Sequence, residues 1–326
     1  MNNRPTILVT RNIPQNGIDI LKQKYTLIIN KNNRPLHRNE LKKNVKDVDG
    51  ILCVLQDKID KEIIDIAGPK LKVISTFSTG FEHININVAK ERGIKIGYTG
   101  DILTETTADL AFGLILCIGR RITEADNFIR RSKWKGGWGP ELMLGTDIYK
   151  KTIGLIGFGK IGQAIANRAM GFNMKILYHK RNKENLKLQN HLDECATYCE
   201  LDEIFTNSDY IVICCTFNKD SFHLINKENL NKMKNTSFLI NIARGKIIKE
   251  KDLIHTLKKK YIKGAALDVF EEEPISKNSP LIKMNNVVLV PHIGSASYET
   301  RNKMAYLAAM NIKYVLDGED KKALLI

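Results

Sequence analysis

No stretch of this 326-residue chain reaches the roughly 18 consecutive apolar residues that a membrane-spanning helix needs. The longest apolar run, Leu110–Gly119, is shorter and follows Glu105 and Asp109, so no membrane partner is expected. No secretory leader is expected either. Met1-Asn2-Asn3-Arg4-Pro5 leads directly into an apolar strand, which makes the cytoplasm the expected location. The six cysteines, Cys53, Cys117, Cys195, Cys199, Cys214 and Cys215, form no Cys-x-x-Cys pair. Adjacent Cys214 and Cys215 point to opposite faces of a strand, a poor geometry for a bridge. The cysteines read as reduced thiols packing as small hydrophobes, and no metal site is expected. Aromatic residues are not interleaved with the cations behind the net charge of +15. Lysines are scattered, with one short run at Lys258-Lys259-Lys260, so no nucleic-acid partner is expected. An anionic cofactor and substrate would profit from the positive field. Short-period repeats and low-complexity linkers are absent as well.

What is present is an alternation of apolar strands and amphipathic helices from end to end. Strand patterns at Thr6–Thr10, Thr26–Asn30, Gly50–Leu55, Lys72–Thr76 and Ile94–Gly97 alternate with helix patterns at Gly17–Tyr25, Leu36–Asn44, Lys61–Ala67 and Ile86–Arg92. A long helix pattern from Thr104 to Arg130, interrupted near Gly119, and a Trp/Gly/Pro-rich loop, Trp134–Pro140, separate this series from a second. The second has strand patterns at Thr152–Gly157, Lys175–Tyr178, Tyr210–Cys215, Phe238–Ile242, Ala265–Val269 and Val287–Val290, and the helix Tyr298–Leu316 closes the chain. The fold class is α/β, with two doubly wound parallel sheets carrying helices on both faces, as the length suggests. The pattern leaves open which unit the last helix joins.

The second series opens on a buried strand running into Gly157-Phe158-Gly159-Lys160-Ile161-Gly162 and then a helix, Lys160–Met170, with Gly171 as its expected C-cap. Each glycine has its own physical role. Gly157 turns the chain, Gly159 admits a pyrophosphate against the backbone, and Gly162 lets helix pack on strand. The helix N-terminus offers its N–H groups to phosphate. The complete strand–turn–helix context makes this a dinucleotide site rather than a chance glycine pattern. At the ribose end, where an NAD site carries an acid, stand His179, Lys180 and Arg181. Nothing there repels a 2′-phosphate and an arginine fork can hold one, so NADP(H) is the expected cofactor, with NAD(H) the alternative.

Three stretches downstream each place one strong side chain after a strand: Ile240-Asn241-Ile242-Ala243-Arg244-Gly245, Asp268-Val269-Phe270-Glu271-Glu272-Glu273-Pro274 and Pro291-His292-Ile293-Gly294-Ser295-Ala296. Arg244 can hold a carboxylate and polarise a neighbouring carbonyl. His292 suits proton donation near neutral pH. A carboxylate beside the imidazole orients it and favours its charged form. Glu273, just before Pro274, is favoured for that role, with Glu271 and Glu272 as rivals. Such a set fits a small 2-oxo or 2-hydroxy acid. In the first series, the backbone N–H groups of Thr79 and Gly80 are candidates for a carboxylate contact.

Together these residues resemble the D-isomer-specific 2-hydroxyacid dehydrogenase family over nearly the whole chain, most closely its glyoxylate/hydroxypyruvate reductases. The resemblance rests on Gly157–Ala166, Gly171–Tyr178, Ile240–Gly245, Leu267–Pro274 and Pro291–Ala296. It implies a Rossmann cofactor domain over 103–295 and a flavodoxin-like substrate domain from 1–102 and 296–326, with the substrate cleft between them. It implies Arg244, Glu273 and His292 as catalytic residues, and Leu55, Thr79, Gly80 and Trp138 as further substrate contacts. Asp268 and Thr107 are implied near the cofactor, with Phe158, Lys160, Ile161, Cys215, Ile242, Ala243 and Gly294 as further contacts and Arg181 on the 2′-phosphate. A homodimer through the cofactor domain is implied, with Trp138-Gly139-Pro140 reaching toward the neighbouring subunit's pocket. The expected activity is NADPH-dependent reduction of glyoxylate or hydroxypyruvate. The rivals are an NADH-dependent D-lactate-type dehydrogenase and a nucleotide-sensing corepressor or scaffold. Glu82 stands where the family has Asp and Gly100 where it has Pro, which is expected to alter the substrate loop and loosen the domain connection. No regulatory domain is expected after residue 326, which argues against the longer phosphoglycerate dehydrogenases.

Overall fold

The computed structural model describes residues 4–32, 34–181 and 192–326, so the chain entry at Met1–Asn3 lies outside the described residues. The chain divides into two units, Met1–Leu103 with Ser295–Ile326, and Thr104–Gly294.

The first unit carries β1 (Thr6–Val9), β2 (Thr26–Ile29), β3 (Gly50–Cys53), β4 (Val73–Thr76) and β5 (Lys95–Gly97). They form a sheet of order β2-β1-β3-β4-β5 in which every pair is parallel. This is the flavodoxin-like order, with its switch between β1 and β3. β3 and β4 are buried at every position, because helices cover both sheet faces. Ile7, Val9, Leu52 and Val73 meet the helices Gln15–Lys22 and Tyr298–Leu316 through Ile18, Leu21, Ala305, Ala308 and Ile312. Leu8, Ile51 and Ile74 point the other way, onto Leu41, Ile63 and Ile64. Tyr298–Leu316 therefore completes the core of the first unit, a placement its own pattern left open.

The second unit carries β6 (Thr152–Ile156), β7 (Lys175–His179), β8 (Ala196–Tyr198), β9 (Tyr210–Ile213), β10 (Phe238–Asn241), β11 (Gly264–Leu267) and β12 (Val287–Leu289). Their order is β12-β11-β10-β9-β6-β7-β8, all parallel, which is the Rossmann order with its switch between β6 and β9. β8 escaped the sequence pattern because it is three residues long, with Thr197 exposed and neither neighbour buried. Register partners run in one row across the carboxyl edge: His179, Ile156, Ile213, Asn241, Leu267 and Leu289. Every loop that leaves this row emerges beside its neighbours, at the roughly 4.8 Å spacing of adjacent strands.

The expected helix break and helix cap are both present, and the strand ends need correction. The helix beginning at Thr104 runs to Arg120, and Arg121, at φ 55°, starts a separate helix, Ile122–Arg130. Gly119 stays helical; it is small because a Cβ there would lie 2.6 Å from Tyr210 Oη. Gly171 caps its helix at φ −62°, and the left-handed turn falls on Asn173 at φ 50°, a residue that tolerates it. The strands ending in Leu55, Cys215, Ile242, Val269 and Val290 stop one or two residues earlier. Ile242 and Val269 stay buried as loop residues, which is why their apolar character read as strand.

Ile312 is fully buried against β1 and β3. Ile312→Ala is expected to cost about 2–5 kcal/mol, read as a lower denaturation midpoint. A loss below about 0.5 kcal/mol would contradict the helix's place in this core.

Candidate active site

At the switch point, β6 ends in a turn that only glycine fits. Gly157 has φ +102°, and a Cβ on it would lie 2.6 Å from the backbone of Cys215. A Cβ on Gly162 would lie 2.5 Å from Gly157 O, so the helix Lys160–Met170 rests directly on the turn. Gly159 is the opposite case: nothing lies within 4 Å of where its Cβ would be. That open space, at the N-cap of an 11-residue helix, is a cradle suited to a pyrophosphate. The turn thus fits a dinucleotide.

The other proposed cofactor residues lie around it. Phe158 turns its ring into the core and stacks on Tyr178 at 3.9 Å, which leaves only its backbone at the turn. Lys160 is exposed and Ile161 half-buried. Cys214 Sγ donates to Gly157 O (3.0 Å), and burial pushes both adjacent thiols up, Cys215 to about 11. Both are uncharged near neutral pH. At the end of β7, His179 Nδ1 faces Cys199 O at 3.1 Å; a carbonyl only accepts, so Nδ1 is the protonated nitrogen. Lys180 is half-buried, while Arg181 is exposed and ion-paired with Asp220.

Along the same edge, β10, β11 and β12 deliver Arg244, Glu273 and His292. Asn241, fully buried, clamps the first loop: its Nδ2 donates to Arg244 O (3.0 Å) and its Oδ1 accepts from Ala243 N–H (3.0 Å). Arg244 is half-buried, and its Nη1 donates to Ala243 O at 2.8 Å. Gly245 leaves no room for a side chain, since a Cβ would fall 1.8 Å from Phe270 C and O. The loop after β12 is fixed by Asp268, 1 % exposed, whose Oδ1 accepts from Ile293 N–H (2.6 Å) and Oδ2 from Gly294 N–H (2.9 Å). Burial pushes the Asp268 carboxyl above its ordinary value, against these N–H groups and the His292 charge. Thr107 Oγ1 donates to Gly294 O at 3.1 Å and braces the same loop.

His292 itself stands at φ 54°, a region few non-glycine residues occupy. Its N–H is held by Asp268 O (2.9 Å) and Val290 O (3.1 Å), and its ring by Glu273. Nδ1 donates to Glu273 Oε2 at 2.8 Å, which leaves Nε2 for a reacting group. Among three consecutive glutamates the geometry selects Glu273. Glu271 is bound to His223 Nε2 (2.7 Å) and Glu250 N–H (3.1 Å), and Glu272 is exposed. Burial raises the Glu273 carboxyl, but the His292 bond and charge, the Phe270 N–H and the Arg244 charge outweigh it. The net position is below the ordinary value.

In the first unit, Leu55 follows β3 and Thr79 and Gly80 follow β4, all half-exposed. The N–H groups of Thr79 and Gly80 form no hydrogen bond among the described residues. Thr79 Oγ1 donates to Gly100 O, and Gly100 holds φ +61°, which proline cannot adopt. Trp138 is 83 % exposed, in the loop after Ile122–Arg130. The sequence did not expose Asn241 as a clamp, although a polar residue ending an apolar strand was a usable signal. The Glu271–His223 pair and Asp220 carried no such signal.

These features define a dinucleotide-binding α/β protein with an acid–base pair on the cofactor edge of its sheet. Residues 112–294 match the family model described as D-isomer specific 2-hydroxyacid dehydrogenase, NAD binding domain. The chain belongs to that family and is an NAD(P)-dependent oxidoreductase. It is 45 % identical to a glyoxylate reductase of Thermofilum pendens, over 99 % of this chain and 94 % of that one. It is 42 % identical to the glyoxylate reductase of Pyrococcus furiosus, over 97 % and 94 %. Among solved structures it is similar to an NADPH-dependent glyoxylate/hydroxypyruvate reductase of Sinorhizobium meliloti in complex with NADP and malonate. There the TM-score is 0.82 and the identity 30 %, covering 96 % of this chain and 94 % of that one.

Because its carboxyl is depressed in the folded state, Glu273 adds stability above its ordinary value of about 4.3, lost as pH falls through the depressed value. Glu273→Gln should therefore be less stable than the parent at pH 6, with the difference shrinking at pH below about 3.5. Urea titrations at both pH values check this; an equal difference at each would remove the Glu273 carboxylate as the cause.

Proposed function

We propose that the protein reduces a small 2-oxo acid, glyoxylate or hydroxypyruvate, to the 2-hydroxy acid, with NADPH the preferred donor. The observation that carries this is the His292–Glu273 bond of 2.8 Å on the edge that also holds Arg244 and the glycine turn. When bound, the dinucleotide supplies the hydride that reduces the carbonyl carbon. The Gly157–Gly162 turn and its helix end hold the pyrophosphate, and Asp268, Thr107 and Gly294 shape the pocket beside His292. Arg244 grips the substrate carboxylate with its planar fork and draws charge onto the carbonyl oxygen. His292 Nε2 gives that oxygen its proton, while Glu273 fixes the ring and faces it with a negative charge. Leu55, Thr79 and Gly80 complete the proposed substrate contacts, supported by the two unbonded N–H groups.

NADPH preference is supported by the absence of an acid at 179–181 and by the exposed Arg181 fork. A homodimer through the cofactor-binding unit is supported by an apolar surface on that unit. The helix Ile122–Arg130 buries no residue, and Ile122, Ile129, Trp134, Trp138, Leu142 and Leu144 are all exposed. That extent of exposed apolar surface suits a partner, and Trp138 is the residue proposed to reach the neighbouring subunit.

Spectrophotometric assays of glyoxylate, hydroxypyruvate and pyruvate with NADPH and NADH test the activity. Preference for pyruvate with NADH would favour the D-lactate-type alternative. His292→Ala should lower kcat by roughly 10²–10⁴-fold while dinucleotide affinity, measured by fluorescence titration, holds. Arg244→Lys keeps the charge but loses the fork, so KM should rise and kcat fall, and Arg244→Ala should do both more severely. A folded Arg244→Ala protein with near-normal kcat/KM would remove Arg244 as the group that grips the substrate. For the dimer, sedimentation velocity should show dimers in the parent and monomers after Ile129→Asp; a monomeric parent refutes it.

A further inference from the structure

The end of β7 lacks the acidic residue that would turn away a 2′-phosphate, but the folded chain brings one there from elsewhere. Asp220, 39 residues from Arg181 in sequence, pairs its Oδ2 with Arg181 Nη1. Its loop follows β9, and Arg181 follows β7. These two strands flank β6, whose glycine turn marks the cofactor edge. The pair therefore bridges the two loops on either side of the turn, at the adenosine end of a bound dinucleotide.

Asp220 is presented by a braced turn rather than a loose one. Asn218 Oδ1 accepts from Asp220 N–H (2.9 Å) and Ser221 N–H (3.1 Å). Ser221 Oγ accepts from Asn218 N–H (2.8 Å) and donates to Thr216 O (3.0 Å), with Ser221 itself buried. These bonds fix the backbone that carries Asp220, and its exposed side chain pairs with the guanidinium.

We propose that Asp220 is a cofactor-selectivity residue that competes with the 2′-phosphate for Arg181. This rests on Arg181 being the 2′-phosphate contact, as argued above. An arginine fork that already holds a carboxylate must release it, or accept a second anion beside the first, when a phosphate arrives. A ribose 2′-hydroxyl meets neither cost, because it carries no charge and can donate to a carboxylate. Asp220 therefore narrows the advantage that His179, Lys180 and Arg181 give NADP(H) and keeps NAD(H) usable. In effect the acid that NAD sites carry on the second strand is supplied here by the loop after the fourth.

The test uses adenosine 2′,5′-bisphosphate and adenosine 5′-monophosphate, which differ by the 2′-phosphate alone and need no turnover. Their dissociation constants are measured by calorimetry for the parent, Asp220→Asn, Arg181→Ala and the double variant. Asp220→Asn should tighten the bisphosphate relative to the monophosphate by roughly three- to tenfold, less at high salt, as for an exposed charge interaction. Arg181→Ala should cut that ratio at least about tenfold, as loss of a charge-assisted phosphate bond does. Adding Asp220→Asn to the Arg181→Ala protein should leave the ratio within about twofold, since the competition has gone. If Arg181→Ala is selective but Asp220→Asn leaves the ratio unchanged, the Asp220 inference falls and the Arg181 contact stands. Persistence of the Asp220 effect without Arg181 also overturns it. If Arg181→Ala weakens both ligands equally, the phosphate contact itself fails and the inference goes with it. Both residues are exposed, so the variants should fold; thermal unfolding confirms it.

Discussion

A buried carboxylate accepting two adjacent backbone N–H groups organises the carboxyl edge of the second unit's sheet. Asp268 sits at the end of β11 with almost no solvent contact, and it pins Ile293 and Gly294 of the next loop. Burying an acid costs free energy, and the N–H groups offset part of that cost. In return His292 is held at a backbone angle it would not otherwise keep, with Thr107 bracing the loop from the helix that packs on the sheet. Strain of this kind persists only where the surroundings over-determine it, and here three hydrogen bonds and a side-chain pair do so. Without that anchor the 2.8 Å contact between His292 and Glu273 has no fixed geometry.

The sheet supplies the second constraint. Parallel strands bring all their carboxyl ends to one edge, and the register keeps those ends level from β7 to β12. A glycine turn, an arginine, a carboxylate and an imidazole separated by more than a hundred residues in sequence then share one surface. The same rule holds within the first unit, where Leu55, Thr79 and Gly80 follow the carboxyl ends of β3 and β4. Charge acts on top of this scaffold. Glu273 shows the balance: burial raises its carboxyl, and a cationic neighbourhood more than reverses the effect.

Much of this was legible in the residues themselves. The alternation of strands and helices, the glycine turn and the three loop residues follow from local pattern, because backbone sterics and burial act over a few positions. Element ends were less legible. Ile242 and Val269 are apolar for burial under a loop rather than for pairing in a strand, and composition does not separate the two. Gly119 carries a second role that local pattern does not show: two residues before the helix breaks at Arg121, its size admits Tyr210 from a distant strand.

By itself the sequence determined a doubly wound chain, a dinucleotide turn and a set of candidate acid–base and anion-binding side chains. Only the tertiary structure decided which of them meet. Three consecutive glutamates are equivalent on paper. In the fold, Glu271 turns to His223 and Glu250, Glu272 faces solvent, and Glu273 reaches His292. The ribose end likewise looked purely cationic until the loop after β9 brought Asp220 against Arg181. Short-range pattern fixes what each segment becomes, whereas the direction of a loop side chain and the approach of a distant charge depend on packing between segments far apart in sequence.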